Sequence, residues 1–255
     1  MSNVFNYPFY LVMFSLFLFS CSSSSNSSED GENGEDISGI PIERLMGEDI
    51  SFMFVTLEEY EEDLDAYVML NIIEDHENTS LKINGNPVQL ENWFGFYFSE
   101  LEITPAQDMN FELEIDDNSY SGSLTMPGML HAAFPSNFDL ESNYSYSWEI
   151  DQDPASFVAW LDMDTDEEWV EKADVLPGNT RSHTFESSVY SHLSEDDLWY
   201  VDVGVSAIDY DVRENIVFIA SFDKYHEYDF DSGFSFKKKD QRGSRFFQMI
   251  QQAGR

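Results

Sequence analysis

Three aspartates at alternate positions, Asp162, Asp164 and Asp166, form the clearest candidate metal site in the chain. Calcium takes about six to eight oxygen ligands, and an Asp-x-Asp-x-Asp segment is how an EF-hand loop begins to supply them. Glu167 stands where that loop needs glycine and Ala173 where it needs a bidentate glutamate, which excludes an EF-hand. The spacing therefore predicts a looser Ca²⁺ loop at these three aspartates. An ordinary acidic surface is the alternative, because acids are abundant throughout the chain.

The other residue types that could do chemistry form no catalytic motif. The histidines contain no HExxH pair, and the chain has neither a G-x-S-x-G elbow nor a phosphate-binding glycine loop. Solvated loop histidines are therefore the favoured interpretation. The histidines are His76, His131, His183, His192 and His226. Paired carboxylates of a glycosidase stay open, since with 50 acidic residues their presence carries no information.

Five aromatic residues could stack on sugar rings, although the same residues suit a β-sheet core. They are Trp93, Tyr97, Trp160, Trp169 and Trp199. An exposed coplanar pair would favour glycan binding, and two close carboxylates in a cleft would favour hydrolysis. If the protein has neither arrangement, the remaining interpretation is a structural envelope protein.

The single cysteine of the chain, Cys21, follows an apolar run over residues 9–19 and precedes a serine tract. The run suits a signal peptide and is too short to span a bilayer as a helix. Leu18, Ser20 and Cys21 resemble the lipobox of bacterial lipoproteins. That resemblance implies cleavage before Cys21, a diacylglycerol on its thiol, and location at the outer membrane or cell surface. An ordinary signal peptide with an incidental cysteine is the alternative.

Residues 21–48 are rich in Ser, Asn, Gly, Glu and Asp, a composition typical of a disordered tether. Glu29, Asp30, Glu32, Glu35 and Asp36 resemble the acidic surface-export signal of Bacteroidota lipoproteins. The resemblance implies display at the cell surface, and a periplasmic orientation stays open.

From Ser51 onward, large apolar residues alternate with polar ones, as in Tyr144, Tyr146, Trp148 and Ile150. A period of two gives a strand one buried and one solvated face. About a dozen such segments, with an Asn84-Gly85 hairpin signal and no helical pattern between them, predict an all-β protein. A buried Trp148 with alternating neighbours resembles the immunoglobulin or fibronectin type III class.

Pro127-Gly128 is the strongest internal break and divides the body into two pieces of domain size. We therefore predict two tandem antiparallel β-sandwich domains after a lipoprotein signal peptide and a disordered acidic tether. The predicted segments are a signal peptide at 1–20, a linker at 21–48, sandwiches at 49–127 and 128–236, and a basic tail at 237–255.

Charge is divided unevenly along the chain. Residues 1–236 carry 49 acids and 6 bases, a net charge of −43, whereas residues 237–255 carry six bases and one acid, a net charge of +5. The acidic body argues against nucleic acid as a partner. The basic tail is expected to fray, or to dock on the acidic body, a partner or lipid phosphates.

Together these patterns predict a lipid-anchored envelope protein that acts as a non-enzymatic binding, adhesion or structural module. Its membrane contact would be the lipid on Cys21, and its partner a glycan or an envelope protein. No cofactor is expected beyond the candidate Ca²⁺. A carbohydrate-active or other hydrolytic enzyme is the alternative.

Overall fold

The computed structural model describes residues 51–60, 63–72, 76–93, 96–165, 169–213 and 216–230. The predicted signal peptide with Cys21, the tether and the basic tail lie outside these ranges and stay predictions. Among the described residues, regular structure is almost entirely β, and the only helical turns are short 3₁₀ turns at Ser187–Val189 and Glu195–Asp197. None of them has the length and apolar character that a bilayer-spanning helix requires. The predicted all-β class is confirmed.

Fifteen strands follow one another along the described residues. In chain order they are β1 (Ser51–Tyr60), β2 (Asp63–Asn71), β3 (Thr79–Ile83), β4 (Asn86–Val88), β5 (Glu91–Trp93), β6 (Phe96–Glu100), β7 (Asp108–Ile115), β8 (Asn118–Thr125), β9 (Leu130–Ala133), β10 (Tyr144–Ile150), β11 (Ser156–Thr165), β12 (Trp169–Pro177), β13 (Ser182–Phe185), β14 (Leu198–Arg213) and β15 (Ile216–Asp229).

The predicted hairpin lies between β3 and β4. Asn84 and Gly85 have φ values of 52° and 76°, the left-handed conformation that a two-residue hairpin turn requires. Ile83 pairs with Asn86 across this turn. The predicted hairpin at Asn84-Gly85 is therefore confirmed.

The strands form three sheets. The largest has eight strands in the order β12-β11-β14-β15-β1-β2-β6-β5, a second has the order β4-β3-β7-β8, and a third has the order β13-β10-β9. All neighbouring strands are antiparallel except β1 and β15, which run parallel from the pair Ser51 and Ile216 to the pair Glu59 and Lys224. A parallel pair needs a long connection, and most of the described chain lies between these two strands.

One apolar core joins the large sheet to both smaller sheets. Phe111 of β7 stacks on Phe218 of β15 with ring centroids 4.0 Å apart. From β10, Trp148 packs on Phe157 at 5.3 Å, and it is only 2% exposed. We call the face of the large sheet that contributes to this core the inner face.

The proposed break at Pro127-Gly128 does not separate two independent sets of sheets. The large sheet takes β1, β2, β5 and β6 from before it and β11, β12, β14 and β15 from after it. The described residues accordingly fall within one compact unit. The sequence could not reveal this, because the pairing of β1 with β15 depends on residues about 165 positions apart.

Candidate functional site

The opposite side of the large sheet, here called the outer face, carries a second apolar cluster. Its buried members are Phe52, Phe54, Met69, Val158, Trp160, Ile208, Val217 and Ile219. Phe52 pairs with Val217 and Phe54 with Ile219 across the parallel strands. Since a strand with one solvated face alternates apolar and polar residues, the apolar outer face marks a surface that is covered or bound.

Beside this cluster, four carboxylates form a row across four neighbouring strands. Asp162 of β11 lies opposite Glu171 of β12 on one side and Asp202 of β14 on the other. Asp202 in turn lies opposite Glu227 of β15. Directly opposed side chains have Cβ atoms about 4.5–5.5 Å apart, and like charges at that separation are destabilising. We call Glu171, Asp162, Asp202 and Glu227 the carboxylate row.

The two central members of the row are buried: Asp162 is 1% exposed and Asp202 is 8% exposed. The indole N–H of Trp169 donates a hydrogen bond to Asp162. Two residues before Asp162 on the same strand, Trp160 lies against Gly204, which has no side chain to obstruct the ring. The indole N–H of Trp160 donates to Ser206 Oγ at 3.3 Å. Trp160 therefore borders the row on the side of the apolar cluster, and Trp169 borders it on the other side.

A buried polar cluster also lies on this face. Thr56 Oγ1 donates to Asp223 Oδ2 at 2.9 Å and lies 2.7 Å from Ser221 Oγ. Asp223 is 4% exposed, and burial raises its pKa to about 7, despite hydrogen bonds from Ser206, Thr56 and Ser221 that favour the charged form. Glu58 lies opposite Asp223 and raises the pKa further by charge repulsion.

The predicted calcium loop is only partly described. Asp162 and Asp164 lie on β11, which continues to Thr165, so this part of the segment is a strand and not the loop that the spacing suggested. Asp166 lies outside the described residues. Within the described ranges, no three His, Cys, Asp or Glu side chains are grouped as a metal site would need. Calcium binding stays a prediction that depends on Asp166 and its neighbours.

The aromatic residues predicted to stack on sugars are divided between core and surface. Trp160 is buried, whereas Trp169 and Trp199 are 51% and 44% exposed. Trp169, Asp164 and Tyr200 share one row on the outer face, whereas Trp199 lies where the register between β11 and β14 shifts, so strand alternation does not assign its side chain to a face. Stacking of these two exposed tryptophans on sugars stays a prediction. Tyr97 is half-buried beside His76, and the side chain of Trp93 lies outside the described set.

The histidines are dispersed, and they contact aromatic rings or acids. His76 Nε2 lies 2.8 Å from the Tyr97 hydroxyl. His183 Nε2 lies 3.2 Å from Asp174 Oδ2, and burial lowers the pKa of His183. His226 packs edge-on against Tyr228 at 4.5 Å. His131 and His192 are exposed.

Sequence reasoning missed the carboxylate row as a unit. Its members lie on four strands between Asp162 and Glu227, and only strand register brings them together. The one local signal was the alternation of Trp160, Asp162 and Asp164, which predicts that the three share a face.

No protein-family model matches the chain, and no curated protein matches it. Among solved structures, the chain is similar to one described as fibronectin(III)-like modules of CbhA from Clostridium thermocellum. The identity is 8%, the match covers 67% of this chain and 92% of that chain, and the TM-score is 0.23. A similarity with that TM-score carries no information about activity.

Proposed function

We propose that this protein is a lipid-anchored, non-enzymatic binding module of a bacterial envelope and that it binds a cationic, partly apolar protein segment on its outer face. The observation that carries the proposal is the continuity of the carboxylate row with the apolar cluster on one sheet surface. Opposed carboxylates are stabilised by a cationic partner. The neighbouring apolar and aromatic side chains supply the dehydrated contact that gives a stable interface.

Sequence and charge support the envelope location within this proposal. Cys21 in its lipobox-like setting would carry the lipid, and residues 22–48 would hold the body away from the membrane. An envelope protein is the favoured partner, because a cationic, partly apolar protein segment matches both the carboxylate row and the apolar cluster, whereas an uncharged glycan would match neither charge nor apolar surface.

Hydrolysis is the second candidate function, and one observation favours it: Asp162 and Asp202 are directly opposed. Retaining glycosidases use two carboxyl groups about 5 Å apart. The two side chains are buried, however, so a sugar would reach them only if the outer face opened. Release of reducing sugar from a polysaccharide by the full chain, abolished by Asp202→Asn, would establish this alternative.

Binding of a synthetic peptide of alternating lysine and phenylalanine tests the proposed function. The full chain carrying Cys21→Ala should bind it and should bind the glutamate-phenylalanine counterpart far more weakly. Glu171→Gln with Glu227→Gln removes two charges from the ends of the row and should weaken binding roughly tenfold.

The matched control is Glu114→Gln with Glu149→Gln, two exposed acids on the solvent faces of the two smaller sheets that change the net charge equally. Binding should be retained in this control. Equal weakening in both double variants would show that only net charge matters and would refute the proposed surface.

A further inference from the structure

The apolar cluster of the outer face is excluded from solvent although its described members all come from one sheet. Phe52 and Phe54 are each 1% exposed, and Val217 and Ile219 are each 0% exposed. The partly buried residues that pack on this cluster, Phe96, Ala173, Val175, Tyr210, Val212 and Tyr225, also belong to the large sheet. A sheet covers its own face poorly, because side chains on one face stand side by side. Something beyond the described ranges is needed as a second layer.

We propose that the C-terminal basic segment, residues 237–255, docks on the outer face and occupies the binding surface of its own chain. The docked segment would prevent a cationic partner from binding until that partner displaced it. This regulatory role rests on the proposed function. The docking itself does not depend on that function and is tested separately below.

Charge complementarity is the first argument for this occupant. The segment carries Lys237, Lys238, Lys239, Arg242 and Arg245 within nine residues. The body that precedes it has a net charge of −43, and the carboxylate row places four acids side by side on the outer face. Basic side chains along the row would relieve the repulsion between opposed carboxylates.

Chain length and direction are the second argument. Strand β15 ends at Asp229, two residues after Glu227 at the end of the row. Lys237 follows Glu227 by ten residues, which span at most about 33 Å when extended. Four strands are only about 14 Å wide from first to last. The lysines therefore reach every member of the row.

Apolar side chains complete the match. Phe246, Phe247, Met249 and Ile250 follow directly after Arg245. If the basic residues contact the carboxylate row, these apolar side chains would contact the neighbouring apolar cluster. Their burial there would stabilise the docked segment. The basic part of the segment thus matches the carboxylate row, and the apolar part that follows matches the apolar cluster.

Two other occupants are disfavoured by charge. Residues 37–50 precede β1 and contain apolar residues, but Glu43, Glu48 and Asp49 outnumber Arg44. A second copy of the chain brings a net charge of −38. Both would place further negative charge near the carboxylate row.

Zero-length carbodiimide cross-linking with mass spectrometry tests the docking. The full chain carrying Cys21→Ala is used as an equal mixture of unlabelled and ¹⁵N-labelled protein, which separates links within one chain from links between chains. We expect links from Lys237, Lys238 or Lys239 to Glu171, Asp202 or Glu227 within one chain. The exposed ion pair between Lys82 and Glu112, 2.9 Å apart, is an internal positive control.

The proposal is overturned if the Lys82 to Glu112 link forms while the lysines of the segment link equally to acids on the solvent faces of the smaller sheets, such as Glu114 and Glu149. It is also overturned if links to the row occur only between chains, which would identify a second copy as the occupant.

Thiol labelling supplies an independent readout of burial. In the Cys21→Ala chain, a maleimide should react slowly with Val217→Cys on the outer face. Lys237→Glu, Lys238→Glu and Lys239→Glu together should accelerate that reaction roughly tenfold or more, the change expected from losing about 1.4 kcal/mol of docking free energy. Ala220→Cys on the inner face is the control and should stay protected. Unchanged protection at position 217 would show that another segment, such as residues 37–50, covers the face.

Discussion

Asp223 is the residue at which burial and charge conflict most clearly. Its Oδ1 atom has no hydrogen-bond partner among the described residues, while Oδ2 accepts from Thr56. The cost of burying this charge exceeds the gain from the hydrogen bonds of Ser206, Thr56 and Ser221, so Asp223 favours its neutral form, which explains the pKa of about 7. Because that value lies above the ordinary 3.8, protonated Asp223 stabilises the fold at low pH. This contribution is lost as the pH rises from about 4 through 7.

Asp223→Asn should remove this pH dependence. Relative to the natural chain, the variant should gain unfolding free energy between pH 4 and pH 7.5, by up to roughly 4 kcal/mol. Urea unfolding at several pH values measures the difference. Asp139→Asn is a control with the opposite expected sign. Hydrogen bonds from the Glu141 amide and the Ser142 hydroxyl lower the pKa of Asp139. Relative to the natural chain, this variant should therefore lose stability as the pH rises. A constant difference for Asp223→Asn would contradict the burial argument.

The calcium prediction is also tested at single residues. If Asp162, Asp164 and Asp166 hold Ca²⁺, calcium chloride should raise the melting temperature more than sodium chloride at the same ionic strength, because the ion binds only the folded chain. Asp164→Asn should abolish that excess. Equal responses to both salts in the natural chain would show that the acids are only screened.

At the scale of the strands, Gly204 allows the outer face to pack. A Cβ atom at this position would collide with the ring of Trp160, and the Gly204 carbonyl accepts a 2.6 Å hydrogen bond from Tyr146 of β10. The absence of a side chain thus lets β14 support the Trp160 ring on one face while it is tied to the third sheet on the other.

Gly204→Ala should therefore destabilise the fold by about 1–3 kcal/mol, the usual cost of overpacking. Gly128→Ala is the matched control, because the nearest atoms to its Cβ would lie at 3.7 Å, an ordinary contact. Denaturant midpoints of the two variants measure the difference. Equal midpoints would mean that Trp160 shifts without cost.

The strands themselves were predictable, but their pairing was not. Period-two alternation is local, so the alternation predicted from Tyr144 to Ile150 coincides with a strand of the same bounds. The carboxylate row required the register of four strands, and the parallel pair required β1 to meet β15 across most of the chain. The burial of the apolar cluster on the outer face could not be predicted either, because the sequence of a single strand does not show which of its faces is covered.

At the scale of the whole molecule, anchoring depends on Cys21. Cys21→Ala should leave the precursor without lipid and move the protein from the membrane to the soluble fraction, because the lipid on Cys21 is its predicted membrane contact. Cell fractionation and mass spectrometry of the mature N-terminus measure both effects. Ser22→Ala is the control and should remain anchored. Cleavage at another position in the natural chain would contradict the lipobox assignment.

The uneven distribution of charge along the chain supports the proposed docking of the C-terminal segment on the outer face. An acidic body of net charge −43 and a basic end of net charge +5 attract each other, and the outer face offers both acids and apolar side chains. The C-terminal segment would thus occupy the binding surface in the absence of a partner. A cationic partner would have to compete with this segment, which is part of the same chain and therefore present at high local concentration.

Competition for the outer face is the most direct test of this account. The affinity of the lysine-phenylalanine peptide is measured for the Cys21→Ala chain with and without Lys237→Gln, Lys238→Gln and Lys239→Gln. If the basic segment and the peptide share the outer face, neutralising the segment should tighten peptide binding by roughly tenfold. Unchanged or weaker binding would contradict the claim that the outer face is a binding surface held by the chain's own C-terminal segment.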